Sequence, residues 1–125
     1  MKESFDELYR ILKIDRGNSA YSRERSLKGR FKDLKEEVEE IGQAIEKDDF
    51  NNLKEELGDA LWELISLIII AEEKGEFTAK EVIQEAIKKI RRRKPWIFTR
   101  KILTQEEELE FWIKIKKKEK EGKND

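Results

Sequence analysis

Four acidic residues stand in two pairs of equal spacing. Glu37 and Glu40 lie in EEVEEIGQAI, and Glu56 and Asp59 lie in EELGDALWELI. On a helix, a separation of three puts both members of a pair on one face. Spacing alone says little, because pairs such as Glu36/Glu39 and Glu107/Glu110 come cheaply in a chain that is 46% charged. Position relative to the apolar face says more. At about 100° per residue, Phe31, Leu34, Val38, Ile41, Ala44 and Ile45 share one arc. Glu36, Glu39 and Glu46 fall opposite, in solvent. Glu37 falls inside the arc, between Ile41 and Ala44, and Glu40 lies on its border. Burying an unpaired carboxylate is costly, so Glu37 requires a cation or a proton.

The second pair belongs to a strip made by Glu56, Asp59 and Glu63. Glu56 borders the apolar face of Leu53, Ala60, Leu64 and Leu67. If the two helices pack antiparallel through the short KDDFNN turn, the four acids Glu37, Glu40, Glu56 and Asp59 converge across the seam. The chain has no His and no Cys. An all-oxygen set suits a hard divalent cation, Mg²⁺ or Mn²⁺. The plainer alternative is a surface salt-bridge network in which Glu37 pairs with a lysine. Gly58 sits inside the same helix at a cost of ~1 kcal/mol relative to Ala. It is expected to admit the close approach of another backbone or a ligand.

The elements that must position these acids follow from periodicity and caps. A first helix is expected over about Phe5–Leu12, opened by a Ser4/Glu7 capping box, with DRGNSA as a loop. A second runs from about Arg23 to Glu46. Asp49 caps a third, about Asn51–Lys74, which Gly75 ends. Thr78 and Glu81 open a fourth, about Ala79–Arg93, and Lys94-Pro95 stops it. Thr104 with Glu107 starts a last helix to about Glu121, with a charged, solvated tail. Six Gly and one Pro are few breakers for 125 residues. Short connections between long amphipathic helices predict an all-α, antiparallel helical bundle. From Ala60 to Ala71 only Glu63 and Ser66 interrupt the apolar surface, so its core is expected to be completed by oligomerisation. We expect one helical domain over 1–103, its motif-bearing part at 21–98, followed by a charged helix and tail over 104–125.

Composition removes several function classes. Without His there are no His-dependent triads, no HExxH zinc sites and no Glu-x-x-His di-iron sites. Without Cys there is no disulfide framework or thiolate chemistry. The 28 basic and 29 acidic residues nearly cancel, which implies no general attraction to nucleic acid or membrane. The apolar stretch Leu64–Ala71 is far short of the ~20 residues that span a bilayer. The N-terminus MKESFDELYR is charged rather than apolar, so a cytoplasmic protein is expected.

Taken together, EEVEEIGQAI, EELGDALWELI and KKIRRRKPWIF resemble the MazG-like nucleoside triphosphate pyrophosphohydrolases. That family carries Glu-x-x-Glu, then Glu-x-x-Asp within ELGD, then a Lys, an Arg-Arg and a Pro-x-aliphatic-Phe ending. These fall on Glu37/Glu40, Glu56/Asp59, Lys89, Arg92/Arg93 and Pro95-Trp96-Ile97-Phe98, over about Tyr21–Phe98. The chain departs from the pattern where Lys94 and Trp96 replace histidines. It departs again where Tyr21-Ser22 and Arg25-Ser26 stand in place of Trp-Asp and Gln-Thr. Phosphoribosyl-ATP pyrophosphohydrolases use related carboxylate helices, but the ELGD form points away from them.

The resemblance implies an all-α pyrophosphatase fold, a homodimer or tetramer, and Mg²⁺ (or Mn²⁺) held by Glu37, Glu40, Glu56 and Asp59. It implies conversion of a nucleoside triphosphate, ribo or deoxy, to the monophosphate and pyrophosphate, including house-cleaning of non-canonical nucleotides. Glu37 or Glu40 would orient or deprotonate the attacking water. Lys89, Arg92 and Arg93 would hold phosphate, although cations at a helix C-terminus also answer its dipole. Trp62 and Trp96 are candidates for base or lid contacts, with packing as the alternative for each. Two rival functions are a non-catalytic helical interaction protein of the same fold and, ranked below it, a nucleic-acid binder using KKIRRRKPW and KIKKKEK.

Overall fold

The structure is a computed structural model, and it describes residues 1–123. Among these residues the secondary structure is helical throughout, in the order α1 (Lys2–Asn18), α2 (Ala20–Glu24), α3 (Leu27–Glu46), α4 (Phe50–Glu73), α5 (Ala79–Arg93), a 3-10 turn (Pro95–Phe98) and α6 (Gln105–Lys123). The all-α expectation holds. The chain forms two compact units, Met1–Ala79 and Lys80 onward.

In the first unit, α3 and α4 form an antiparallel hairpin with the most extensive packing in the chain, and α1 packs on α4. The turn between α3 and α4 is built by two acids. Asp48 adopts φ 51°, a left-handed conformation that Asp tolerates better than most residues. Asp49 then accepts a hydrogen bond from the Asn52 N–H at 3.2 Å and caps α4. At the far end Gly75 takes φ 75° and ends the helix, where a Cβ would be strained. The core is small, with Leu12, Ile65 and Ile69 buried together and Leu8 and Tyr9 against them.

Three local expectations fail. The Ser4/Glu7 box does not open α1, which starts earlier, at Lys2, with Met1 as its cap. DRGNSA is not a loop, because α1 continues through Asn18 and only Ser19 breaks it. The reason is tertiary. Arg16 donates to the carbonyls of Ser22 and Arg25 and pairs with Glu73 at 2.9 Å. Those contacts anchor this stretch to the residues that follow it and to α4, and they offset the poor helix propensity of Gly17 and Asn18. The second expected helix is split as well. Ser19 caps α2, and a new cap at Ser26, accepting from the Gly29 N–H at 3.1 Å, starts α3.

The second unit contains α5, the 3-10 turn and α6. Pro95 follows the end of α5, and Trp96 in the turn is buried against Phe111 of α6, with ring centroids 5.3 Å apart. Thr104 and Glu107 form the expected reciprocal box at the start of α6, each backbone N–H donating to the other's side chain at 3.2 Å. The last helix, expected to about Glu121, runs through Lys123, and the final residues of the expected tail, 124–125, lie outside the described residues.

Candidate metal centre

The seam between α3 and α4 carries the acids. α3 turns Leu34, Glu37 and Ile41 toward its partner, all half-buried, and leaves Glu36 and Glu39 exposed, as the wheel predicts. α4 presents Leu53, Glu56, Asp59, Ala60 and Glu63, also half-buried. Three of the four expected ligands converge. Glu37, Glu56 and Asp59 each offer an oxygen, and these atoms lie within 4.8 Å of one another. Glu40 is exposed and outside that tight set, yet near enough to perturb two of its members.

The electrostatics are those of repelling acids. Burial pushes the Glu37 carboxyl up to about 7, helped by Glu40, Glu56 and Asp59 beside it. Glu56 is also raised, chiefly by Glu40 and then by burial. Among the described residues no lysine or arginine forms an ion pair with Glu37, Glu40, Glu56 or Asp59. One buried oxygen on Glu37 and one on Glu56 have no hydrogen-bond partner. Buried carboxylate oxygens without partners are expensive. Clustered, all-oxygen and uncompensated, they fit a hard divalent cation.

Sequence reasoning missed the other end of the same seam. Arg30 of α3 is only 3% exposed and pairs with Glu63 of α4 at 3.0 Å. It also donates to the Ser22 hydroxyl at 2.8 Å, approaches Asp15 at 3.7 Å, and lies against the Tyr21 ring. Beside it Arg25 grips Asp33 through two nitrogens, at 2.7 and 3.0 Å, and the Tyr21 hydroxyl donates to Asp33. A signal was available. Arg30 lies one turn before Leu34 and two before Glu37, so it shares their stripe.

The expected phosphate contacts lie in the second unit. Lys89 is exposed and has no ion-pair partner among the described residues. Arg92 and Arg93 are both taken by Glu119 of α6, at 2.6 and 3.2 Å. Arg93 also lies over the Trp112 ring, 4.8 Å from its centroid. Of the two tryptophans, Trp62 on α4 is about half exposed, at 46%, and Trp96 is buried in its own unit. Within the chain, a Cβ at Gly58 would meet nothing within 4 Å.

An all-α hairpin whose seam converges three acids without cations offers the oxygen set that a metal ion could use. The comparisons narrow this. The model of the MazG nucleotide pyrophosphohydrolase domain matches residues 25–98, and the chain belongs to that family. It is 33% identical over 89 residues to the nucleoside triphosphate pyrophosphohydrolase of Escherichia coli, covering 70% of this chain and 34% of that protein. It is 37% identical over 86 residues to the uncharacterized protein YabN of Bacillus subtilis, covering 68% of this chain and 18% of that one. The chain thus spans about a third or less of the length of these curated relatives. A crystal structure of a MazG-related protein from Thermotoga maritima superposes with a TM-score of 0.85 at 28% identity, covering 90% of this chain and 98% of the other.

Proposed function

We propose that this protein is a divalent-cation-dependent nucleoside triphosphate pyrophosphohydrolase, releasing the monophosphate and pyrophosphate. The observation that carries this is the α3–α4 seam, where the oxygens of Glu37, Glu56 and Asp59 converge without a compensating cation. Membership of the MazG family supports the same reaction. Glu37, Glu56 and Asp59 would hold Mg²⁺ or Mn²⁺, with Glu40 alongside. When bound, the ion supplies charge neutralisation for the polyanionic substrate and Lewis acidity at its phosphoryl groups.

The chain's own groups supply the rest. A water oxygen forms a bond to the α-phosphorus, and the bond from that phosphorus to the α,β-bridging oxygen breaks. Pyrophosphate leaves with the bridging oxygen. The water's proton passes to a carboxylate, and Glu40, beside the tight set rather than within it, is best placed to take it. In the second unit, Lys89 would offer phosphate a point charge. Arg92 and Arg93 offer planar forks that a phosphate can occupy as the Glu119 carboxylate does.

We also propose a homo-oligomer, a dimer at least. Phe31, Val38 and Ile45 on α3 and Leu57, Leu61 and Leu64 on α4 are about half exposed. Trp62, about half exposed on another side of α4, is assigned to packing rather than to the base. Light scattering at micromolar concentration tests the assembly, and a compact monomer would refute it. The reaction is tested by a panel of canonical, deoxy and damaged nucleoside triphosphates with Mg²⁺, following pyrophosphate and monophosphate together. Monophosphate and pyrophosphate in equal amounts are expected. Release of orthophosphate alone, or no release from any substrate, refutes the assignment.

A further inference from the structure

Arg30 and Glu63 form the one ion pair between α3 and α4 among the described residues. It sits at a fixed offset from the acids. Glu37 lies two turns along α3 from Arg30, and Glu56 lies two turns back along α4 from Glu63. The antiparallel register that brings Arg30 to Glu63 is therefore the register that brings Glu37 to Glu56. Between the two rungs the seam is made of Leu34, Ala60 and the flank of Asp59.

Away from the Asp48–Asp49 turn that joins the helices, such a seam does little to fix its own register. Leu and Ala contacts are non-directional, and a slide by one residue moves a helix only 1.5 Å. Glu37, Glu56 and Asp59, when charged, repel one another and do not hold the helices in place. A cation of the Mg²⁺ kind demands near-ideal placement of its ligands. Something rigid has to hold the rung in place before it binds. A buried ion pair is poor evidence for stability, because an apolar pair of similar volume often does as well. This one also leaves the Arg30 Nε buried without a partner, a further cost. Fixing register is the best-attested use of such pairs. Arg30 is held on three sides, by Glu63, Ser22 and the Tyr21 ring, so it refers the seam to α2 as well as to α4.

Arg30 does a second thing. Glu63 lies one turn beyond Asp59 on the same strip and would otherwise be a further acid in line with the set. Burial pushes its carboxyl up while Arg30 pulls it down. The guanidinium keeps that acid occupied and sets where the carboxylate site ends.

We infer that the Arg30–Glu63 pair is a positioning device, which fixes the α3–α4 register and so preorganises Glu37, Glu56 and Asp59 for a divalent cation. The inference rests on the proposed reading of those acids as a cation site. It is tested with Mn²⁺ binding to the full chain by calorimetry and by the Mn²⁺ EPR signal, beside thermal melts of the metal-free protein. The double variant Arg30→Met with Glu63→Met replaces the pair by apolar groups. It is expected to melt at or above the wild-type temperature, yet to bind Mn²⁺ at least about tenfold more weakly, the scale seen when outer-shell support of a metal site is lost. Arg30→Lys keeps the charge without the fork and is expected to fall between. A purely structural role would move the melts and leave metal affinity alone. Wild-type Mn²⁺ affinity in the folded double variant overturns the inference and leaves the function standing. If the double variant does not fold, unchanged affinity in Arg30→Lys overturns it instead. No Mn²⁺ binding by the wild type overturns both readings.

Discussion

The two ends of the α3–α4 seam are made of the same materials and behave as opposites. At one end Glu63 is half-buried and has Arg30 at 3.0 Å. At the other, two turns away, Glu37 and Glu56 are half-buried and have only other acids. The helices, the depth and the residue type are shared, so the difference lies in the missing cation. The Arg30 end is complete within the chain. On the proposed reading, the Glu37 end is completed by a positive charge from outside. A buried carboxylate is thus a structural part or a site according to whether the chain itself supplies its counter-charge.

The sharpest way to break this comparison is to remove one charge at each end. Glu37→Gln keeps the shape and removes a charge the cation needs. Pyrophosphate release is expected to fall by orders of magnitude, while the metal-free protein melts no lower, since one member of a repelling set is gone. At the other end Arg30→Met strands Glu63, and the expected loss is about 3–5 kcal/mol of stability, the scale for breaking a buried pair. Glu36→Gln, on the solvent face, should do little to either readout. A stable and active Glu37→Gln protein would remove the distinction between the two ends.

Supplying the missing cation is the next test. Mg²⁺ or Mn²⁺ at 100 times its dissociation constant should add ~2.7 kcal/mol if it binds the native state alone. Melts with and without millimolar metal measure this directly. Identical melts would mean that the acids tolerate one another unaided.

How much of this could be read beforehand differs between the two ends. Glu37 was legible because it broke a pattern, a charge inside an apolar arc. Asp49, Gly75 and the Thr104/Glu107 box were legible because caps are local chemistry, settled within four residues. Arg30 stood out less, because it sits among many charges near the start of α3; its place on the stripe of Leu34 and Glu37 was the one local signal, and its partner Glu63 is distant in sequence. The continuation of α1 through Gly17 and Asn18 was hidden for the same reason. It depends on Arg16 reaching Ser22, Arg25 and Glu73, contacts that no window of local sequence contains.

Acidity offers a gentler probe of the same contrast. Between about 4.5 and about 7 the folded chain holds a proton on Glu37 that the unfolded chain lacks. The stability this lends is fully present below the lower value and is lost as pH rises through the upper one. Glu56, raised as well, has the same sign. Metal-free protein is therefore expected to melt at lower temperature as pH goes from about 5 to about 8. Added Mg²⁺ should reverse the trend, since cation binding requires the deprotonated acids. Glu119, drawn down to about 2 by Arg93 and Arg92, works the other way. Its contribution is present above about 4.5 and fades only as pH falls toward 2, outside this window. A metal-free melting temperature that rises from pH 5 to pH 8 would mean that the acids at the Glu37 end are already compensated.

The smallest expected effect lies one residue before Asp59. Gly58 costs α4 helix propensity, and within the chain nothing sits close enough to require it. If the protein acted as a monomer, Gly58→Ala would simply gain up to ~1 kcal/mol. If a second copy covers this part of α4 beside the exposed Leu57 and Leu61, the added methyl meets that copy instead. The substitution is then expected to leave a monomer–dimer equilibrium shifted toward monomer, with stability that depends more steeply on protein concentration. Melting at two concentrations tenfold apart, with light scattering on the same samples, separates the cases. A higher melting temperature with unchanged assembly would mean that the glycine does not mark a close approach, and the reason for it would lie outside the oligomer.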